Sequence, residues 1–291
     1  MNIFFQIDGG LGKSIMGTAV VKAIKKKYKK SNLYVVTAYK DVFLNNPHVK
    51  DVFRSDEING IYLKYIKGKK AKVLSGEPYR ESDFILEEKH LLEVWCNMFG
   101  LEYQGESPEL FLTQPEIDYF TPFYNTDKPI MVIQPNGGPQ NQGFNYSWTR
   151  DIPTPTVLDV INHFKDKYTI AHIKRQDQQV YPDTLHAMDG FRSIAILISL
   201  SQKRFFMDSF GQHLAVAMNK PSVVGWVTTN PGQFGYGIHT NILRNKFTKT
   251  PLIQQAAYQP FNLAQDVSTL PYNDLAEVFN SEDIIQAIEN L

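Results

Sequence analysis

Short apolar runs alternate with helical stripes along most of the chain. Residues 2–7 are mostly apolar and predict a buried strand, followed by the glycine-rich loop Asp8-Gly-Gly-Leu-Gly-Lys-Ser14. Ile15, Ala19, Val20, Ala23 and Ile24 share one helical face, so the spacing predicts a helix over 15–28 and then a strand over 33–37. Strand, glycine turn, helix and strand make a right-handed βαβ unit, the start of a parallel sheet. A short helix, an Asn-Pro turn and a third strand at 49–53 come next, then a polar, lysine-rich loop and hairpin over 59–82. Leu91, Leu92, Trp95, Met98 and Phe99 form one stripe, which predicts a helix over 87–101 ending at Gly100. Residues 109–113 predict another strand, and the proline-rich 115–129 a linker.

The pattern then restarts. A strand at 129–134 leads into a loop over 135–143, followed by a helix at 156–164, a strand at 168–173 and a helix at 191–200. The apolar run 204–207 ends at Asp208-Ser209, and Leu214, Ala217 and Met218 mark a short helix closed by Asn219-Lys220-Pro221. A strand at 223–227 and a C-terminal helix over 281–291, capped by Ser281, complete the series. Two such runs predict an α/β chain of two Rossmann-like domains, residues 1–125 and 126–291, facing each other across a cleft.

Composition narrows the function. The 291 residues suffice for two cores, and 30 basic against 30 acidic residues leave no net charge to draw in nucleic acid or an anionic membrane. The single cysteine, Cys96, excludes an intrachain disulfide framework and a cysteine-rich zinc site, and its apolar neighbours place it in a core. The chain enters its first strand without a basic leader and has no run long enough for a membrane span, so a soluble, cytoplasmic protein is expected. No set of His, Cys, Asp and Glu has the spacing of a metal site.

The chemistry concentrates where strand 204–207 turns into a helix. Such a turn aims free N–H groups and the positive helix end at one point, where phosphate binds. Asp208 and Ser209 occupy the turn and His213 lies one helical turn inside. Asp and Ser also serve as ordinary N-caps, and a lone histidine in such a helix is often structural. The wider segment, Asp208-Ser-x-x-x-His213-Leu-Ala-x-Ala-x-x-x-Pro221, then a strand and Thr229-x-Pro231, resembles the donor-site segment of glycosyltransferase family 9. Those are the heptosyltransferases that use an ADP-sugar, built on the two-domain GT-B fold. The Asn46-Pro47 turn between helix and strand is similar to that family as well.

The glycine loop admits two functional readings. Gly9-Gly10-Leu11-Gly12-Lys13-Ser14 resembles the phosphate loop of the ParA-like ATPases, yet Ile7 stands where a full Walker A needs glycine, and Asp8 where the ParA signature has lysine. Nor does an apolar strand ending in a magnesium-holding aspartate occur in the first half; Asp56 and Asp83 both lack that context. The alternative is the first loop of a family 9 transferase, whose glycines let backbone approach the sugar diphosphate. That family usually places an aspartate directly after the position of Gly12, as the base for the acceptor hydroxyl; here Lys13 stands there. A lysine does not accept a proton at neutral pH without a large pKa shift, so Lys13 is expected to neutralise the leaving diphosphate. Asp8 is the substitute base, or else a loop-capping aspartate. A lysine before a tryptophan is also common in the family, whereas Tyr146-Ser147 precede Trp148 here, which leaves Arg150 and Lys174-Arg175 as candidate cations.

The resemblance implies a glycosyltransferase that moves a sugar from a nucleoside-diphosphate sugar to an acceptor hydroxyl, inverting, with no metal or other cofactor. It implies Asp8 and Lys13 as catalytic, and Gly10, Gly12, Asn136, Gly137, Arg175, Asp208, Ser209, Gln212, His213 and Thr229 as donor-binding. The acceptor would be a glycan, a lipid-linked sugar or another hydroxyl compound, and the lysine-rich 59–82 would face it. Lysines between 64 and 72 are the sole hint of nucleic acid. The alternatives are the ParA-like ATPase and a catalytically degenerate, nucleotide-binding GT-B protein.

Overall fold

In the computed structural model, which describes residues 1–54, 56–57, 60–138, 150–187, 190–249 and 270–291, the first apolar run forms β1 (Asn2–Ile7). After the glycine turn comes α1 (Leu11–Lys27), and then β2 (Asn32–Thr37), β3 (Asp51–Phe53) and β4 (Ala71–Leu74). All pairings are parallel, in the order β3-β2-β1-β4. Ile3, Phe5 and Ile7 alternate onto the face covered by α1 and by the apolar stripe of α3 (Leu91–Met98), while Phe4 stacks on Tyr34 on the other face. Short α2 (Ser82–Ile85) precedes α3.

The second half repeats the plan. Its strands are β5 (Ile130–Gln134), β6 (Thr169–His172), β7 (Leu185–His186), β8 (Lys203–Met207), β9 (Val223–Trp226) and β10 (Thr240–Leu243), in the parallel order β10-β9-β8-β5-β6-β7. α4 (Gln114–Phe120) closes the first half, and the helices of the second are α5 (Thr154–Phe164), α6 (Phe191–Leu200), α7 (Phe210–Ala217), α8 (Pro231–Phe234) and α9 (Ser281–Glu289). Near-continuous apolar strands such as Ile130–Gln134, every residue buried, are what a sheet covered on both faces requires. Two all-parallel sheets with helices packed on them give the expected α/β class. No helix among the described residues is long and apolar enough to cross a membrane.

Several elements depart from the sequence expectations. Residues 109–113 join no ladder: their backbone is bonded by side chains instead, Glu109 N–H donating to Thr18 Oγ1 at 2.9 Å and the Phe111 carbonyl accepting from Arg192 Nη2 at 2.7 Å. The expected linker 115–129 contains α4, started by Pro115 and by a capping box between Thr113 and Glu116. Within 59–82 lies β4, an edge strand rather than half of a hairpin. The expected helix over 87–101 is shorter because Glu87 takes a positive φ of 58°, so α3 starts at Leu91. The last helix packs within the second domain, with Ile284, Ile285 and Ile288 of α9 in its core beside Val157, Val160 and Ile161 of α5. Residues 139–149, including Trp148, lie outside the described residues.

Candidate functional site

The C-terminal ends of parallel strands converge, and here the two sheets turn those ends toward one another. The loops after β1 and β4 come from one half and those after β5, β6 and β8 from the other. Between them lies a cavity of about 690 Å³ lined by Gly9–Lys13, Glu77 and Tyr79 on the first domain. On the second, Gln134, Arg150, Arg175, Asp208, Ser209 and His213 line it.

The floor is the approach of α1 to α7. Gly12 leaves little room for a side chain, since a Cβ would lie 3.1 Å from His213 Cδ2, which would have to give way, and in ordinary contact with the Phe210 Cα at 3.5 Å. Its glycine thus suits the close packing of the two helices. Gly10, the N-cap of α1, has nothing within 4 Å of a Cβ position and leaves open space above the helix. Gly9 holds a φ of +106°, which only glycine adopts readily.

At the start of α7, Ser209 is the N-cap residue with no side-chain cap bond. Gln134, at the end of β5, reaches over: its Oε1 accepts from Gly211 N–H at 2.9 Å and its Nε2 donates to Ser209 Oγ at 3.3 Å. Arg150 Nη1 donates to the Asp208 carbonyl at 2.9 Å and lies 3.6 Å from Asp208 Oδ2. Asp208 Oδ1 accepts from Gln212 Nε2 at 2.9 Å, so Gln212 orients the aspartate from below and does not itself line the cavity. His213 Nδ1 bonds the Tyr236 hydroxyl at 2.8 Å, and burial pushes the imidazole down to about 3, leaving it neutral. A neutral ring offers a hydrogen bond to a ligand without bringing a charge.

Other sequence candidates fall outside the lining. Asp8 is exposed, accepts from the Gln6 amide at 3.2 Å and is not part of the cavity wall. Asn136 and Gly137 stand behind the wall: Asn136 Nδ2 and Gly137 N–H both donate to Asp151, at 3.0 and 2.9 Å. Thr229 is buried in the turn after β9 and likewise does not reach the cavity. Arg175 does line it, held by Asp177 Oδ1 at 3.1 Å and by Gln178, which accepts from Arg175 N–H at 2.9 Å.

Lys13 is the largest surprise. The residue is 6 % exposed, and its ammonium donates to Glu77 Oε1 and Oε2 at 2.7 and 2.8 Å. The rings of Tyr79 and Trp95 flank it, 5.2 and 5.4 Å from their centroids. A lysine packed in this way differs from the extended lysine of a phosphate loop. Sequence reading missed Glu77, Tyr79, Gln134 and Gln178. Gln134 alone left a signal, a polar residue closing an apolar strand at the ligand end of a parallel sheet. Lys13, Arg150, Lys174 and Arg175 outnumber Glu77 and Asp208 in the lining, so the cavity suits an anion. Among the described residues no group of His, Cys, Asp and Glu could hold a metal ion.

No family model matches the chain, and no curated protein matches it by sequence. Solved structures do match by shape. A glycosyl transferase of family 9 from Veillonella parvula DSM 2008 superposes with a TM-score of 0.69 at 12% identity, over 99% of this chain and 96% of its own. The E. coli ADP-heptose lps heptosyltransferase II gives 0.64 at 14% identity, over 84% of this chain and 91% of its own. The E. coli heptosyltransferase WaaC, solved with ADP, gives 0.55 at 11% identity, over 89% and 96%. The two halves of this chain thus have the GT-B architecture of those transferases, two Rossmann-like domains facing across a cleft.

Proposed function

We propose that this chain is a glycosyltransferase that moves a sugar from a nucleoside-diphosphate sugar to an acceptor hydroxyl. The observation that carries the reading is the cavity itself. It lies between two domains of GT-B architecture, at the N-terminus of α7, with more cations than carboxylates in its wall. The diphosphate would lie across Ser209 and the first turn of α7, where the helix end and Arg150 meet negative charge. Arg175, at the end of β6, is placed for the nucleoside side of the donor. His213 would hydrogen-bond the donor from the floor.

The displacement we infer is inverting and needs no metal, because fixed cations and helix N–H groups supply the stabilisation of the leaving diphosphate. The acceptor would enter from the first domain and be a glycan, a lipid-linked sugar or another hydroxyl compound. Cys96 is a free thiol, buried and pushed up to about 12 by that burial.

A thermal-shift panel of ADP, UDP, GDP, CDP and ATP, each with and without magnesium, tests the reading. A ligand at a hundred times its Kd adds about 2.7 kcal/mol, a shift of roughly 5 °C for a chain of this size. One diphosphate is expected to stabilise without metal, and its sugar conjugate to be turned over. Stabilisation by ATP with magnesium alone would put the ATPase first. Binding without turnover of any sugar nucleotide would instead indicate the degenerate scaffold.

A further inference from the structure

A transferase of this kind needs a group to take the proton of the acceptor hydroxyl. The resemblance puts an aspartate directly after Gly12, and Lys13 stands there instead. The structure puts a carboxylate beside that place by another route. β4 pairs directly with β1 in parallel, so the loop after β4 emerges next to the glycine loop and brings Glu77 to the tip of Lys13, although 64 residues separate them.

The two partners are unequally exposed. The Lys13 side chain is 4% exposed, sealed between Tyr79 and Trp95, whereas that of Glu77 is 34% exposed and lines the cavity. The ammonium therefore holds the carboxylate from behind while its other face opens into the cavity. A carboxylate has about four lone-pair sites, and Lys13 with the Tyr79 N–H, at 3.5 Å, leave some of them for a further donor. Glu77 also stands on the first domain, across the cavity from the start of α7 on the second. Nucleophile and leaving group would thus be handled from opposite walls, as a single displacement requires.

We propose that Glu77 is the general base and Lys13 the residue that positions it, an assignment that rests on the transferase reading above. The acceptor oxygen bonds to the anomeric carbon as that carbon's bond to the diphosphate oxygen breaks. The bond pair leaves with the nucleoside diphosphate, and the hydroxyl proton passes to a Glu77 oxygen. Protonation removes the negative charge facing Lys13 at the moment when negative charge grows on the diphosphate, so the pair's net charge turns positive in step with the reaction.

The test takes the nucleoside diphosphate and sugar nucleotide that the wild type selects, with water or the identified acceptor as nucleophile. Glu77→Gln is expected to lower kcat by about 10²- to 10⁴-fold while the Kd for the diphosphate stays within about twofold. Glu77→Ala is expected to regain turnover when formate is added, a response that a merely structural residue does not give. Lys13→Met/Glu77→Gln removes both charges together, so it folds even if Glu77→Gln leaves the lysine too poorly paired, and it too is expected to bind without turnover. Turnover near the wild-type level in either Gln variant overturns the assignment alone. A wild type that turns over no sugar nucleotide overturns the transferase reading and the assignment with it.

Discussion

Arg192 grips Glu116 with two hydrogen bonds, Nε to Oε1 and Nη2 to Oε2, both 2.7 Å long. The same guanidinium donates to the carbonyls of Phe111 and Asp41, so one side chain at the start of α6 ties the second domain to two stretches of the first. Arg192 is buried, and a fork matched to a carboxylate is the geometry that arginine serves and lysine does not. Arg192→Met should therefore cost about 2–4 kcal/mol in urea unfolding, because it takes the arginine's donors from Glu116, which keeps those of Thr113, and from two carbonyls. A loss under about 0.5 kcal/mol would show that the clasp does not hold the domains together.

The clasp also has a pH signature. Hydrogen bonds from Arg192, with help from Thr113, bring the Glu116 carboxyl down to about 2 from 4.5. A depressed carboxylate contributes stability that is fully present above the unfolded value and lost as pH falls from about 4.5 through 2. Glu116→Gln should be less stable than the wild type at pH 7, by on the order of 2 kcal/mol, and the gap should narrow toward pH 2.5. A constant gap across that window would rule the linkage out.

Tyr236 is surrounded by three imidazoles, with ring centroids of His90, His213 and His239 at 5.6, 5.6 and 6.0 Å. Burial pushes them down to about 4, 3 and 4 respectively. Below their ordinary value near 6.5 the unfolded chain takes up protons that the folded chain refuses, so stability falls as pH drops from about 6.5 toward 4. Each ring adds about 1.4 kcal/mol per pH unit to that slope. Replacing His239 by Gln should flatten the dependence of unfolding free energy on pH between 6 and 5 by about that amount. An unchanged slope would mean that the ring is protonated in the fold.

These relationships show which parts of the molecule the sequence discloses. The β1–glycine loop–α1 unit and the turn at Asp208-Ser209 are local: apolar run, breaker and helical stripe follow one another within a few residues, and both were legible. Residues joined by sheet order were not. Glu77 reaches Lys13 because β4 lies beside β1, and the polar stretch around β4, with Lys72 and Val73 facing solvent, gives no periodicity to announce a strand. Likewise 109–113 has the residues of a strand, but Thr18 and Arg192 satisfy its backbone and no ladder forms. Asp8 looked apt as a base because it follows β1, yet nothing in a sequence tells whether such a side chain turns into a cavity or toward Gln6.

Gly235 sits where no side chain fits. A Cβ there would come within 2.7 Å of the Pro231 carbonyl oxygen and 3.0 Å of the Pro231 Cα, backbone atoms that cannot swing aside. The Gly235 carbonyl also bonds the His90 ring at 3.1 Å, which joins α8 and its turn to the first domain. Gly235→Ala is expected to cost about 1–3 kcal/mol, the range for forcing an extra methyl into packed space, and to lower Tm accordingly. Gly237→Ala is the control, with nothing within 4 Å of its Cβ position, and should change Tm little. Equal effects at both positions would refute the steric account.

Arg150 gives the sharpest handle on the proposed donor. Its guanidinium lines the cavity next to the start of α7 and is steadied there by the Asp208 carbonyl at 2.9 Å. A charged hydrogen bond to phosphate is worth about 1.5–3 kcal/mol, so Arg150→Ala should weaken the favoured nucleoside diphosphate by roughly 10- to 150-fold. The free nucleoside makes no phosphate contact and should bind both proteins alike. Arg150→Lys keeps the charge but loses the fork, and should fall between them. Calorimetric titration of nucleoside and diphosphate against all three proteins decides the matter. Parallel losses for the two ligands would mean that Arg150 shapes the pocket through Asp208 and that the phosphates lie elsewhere.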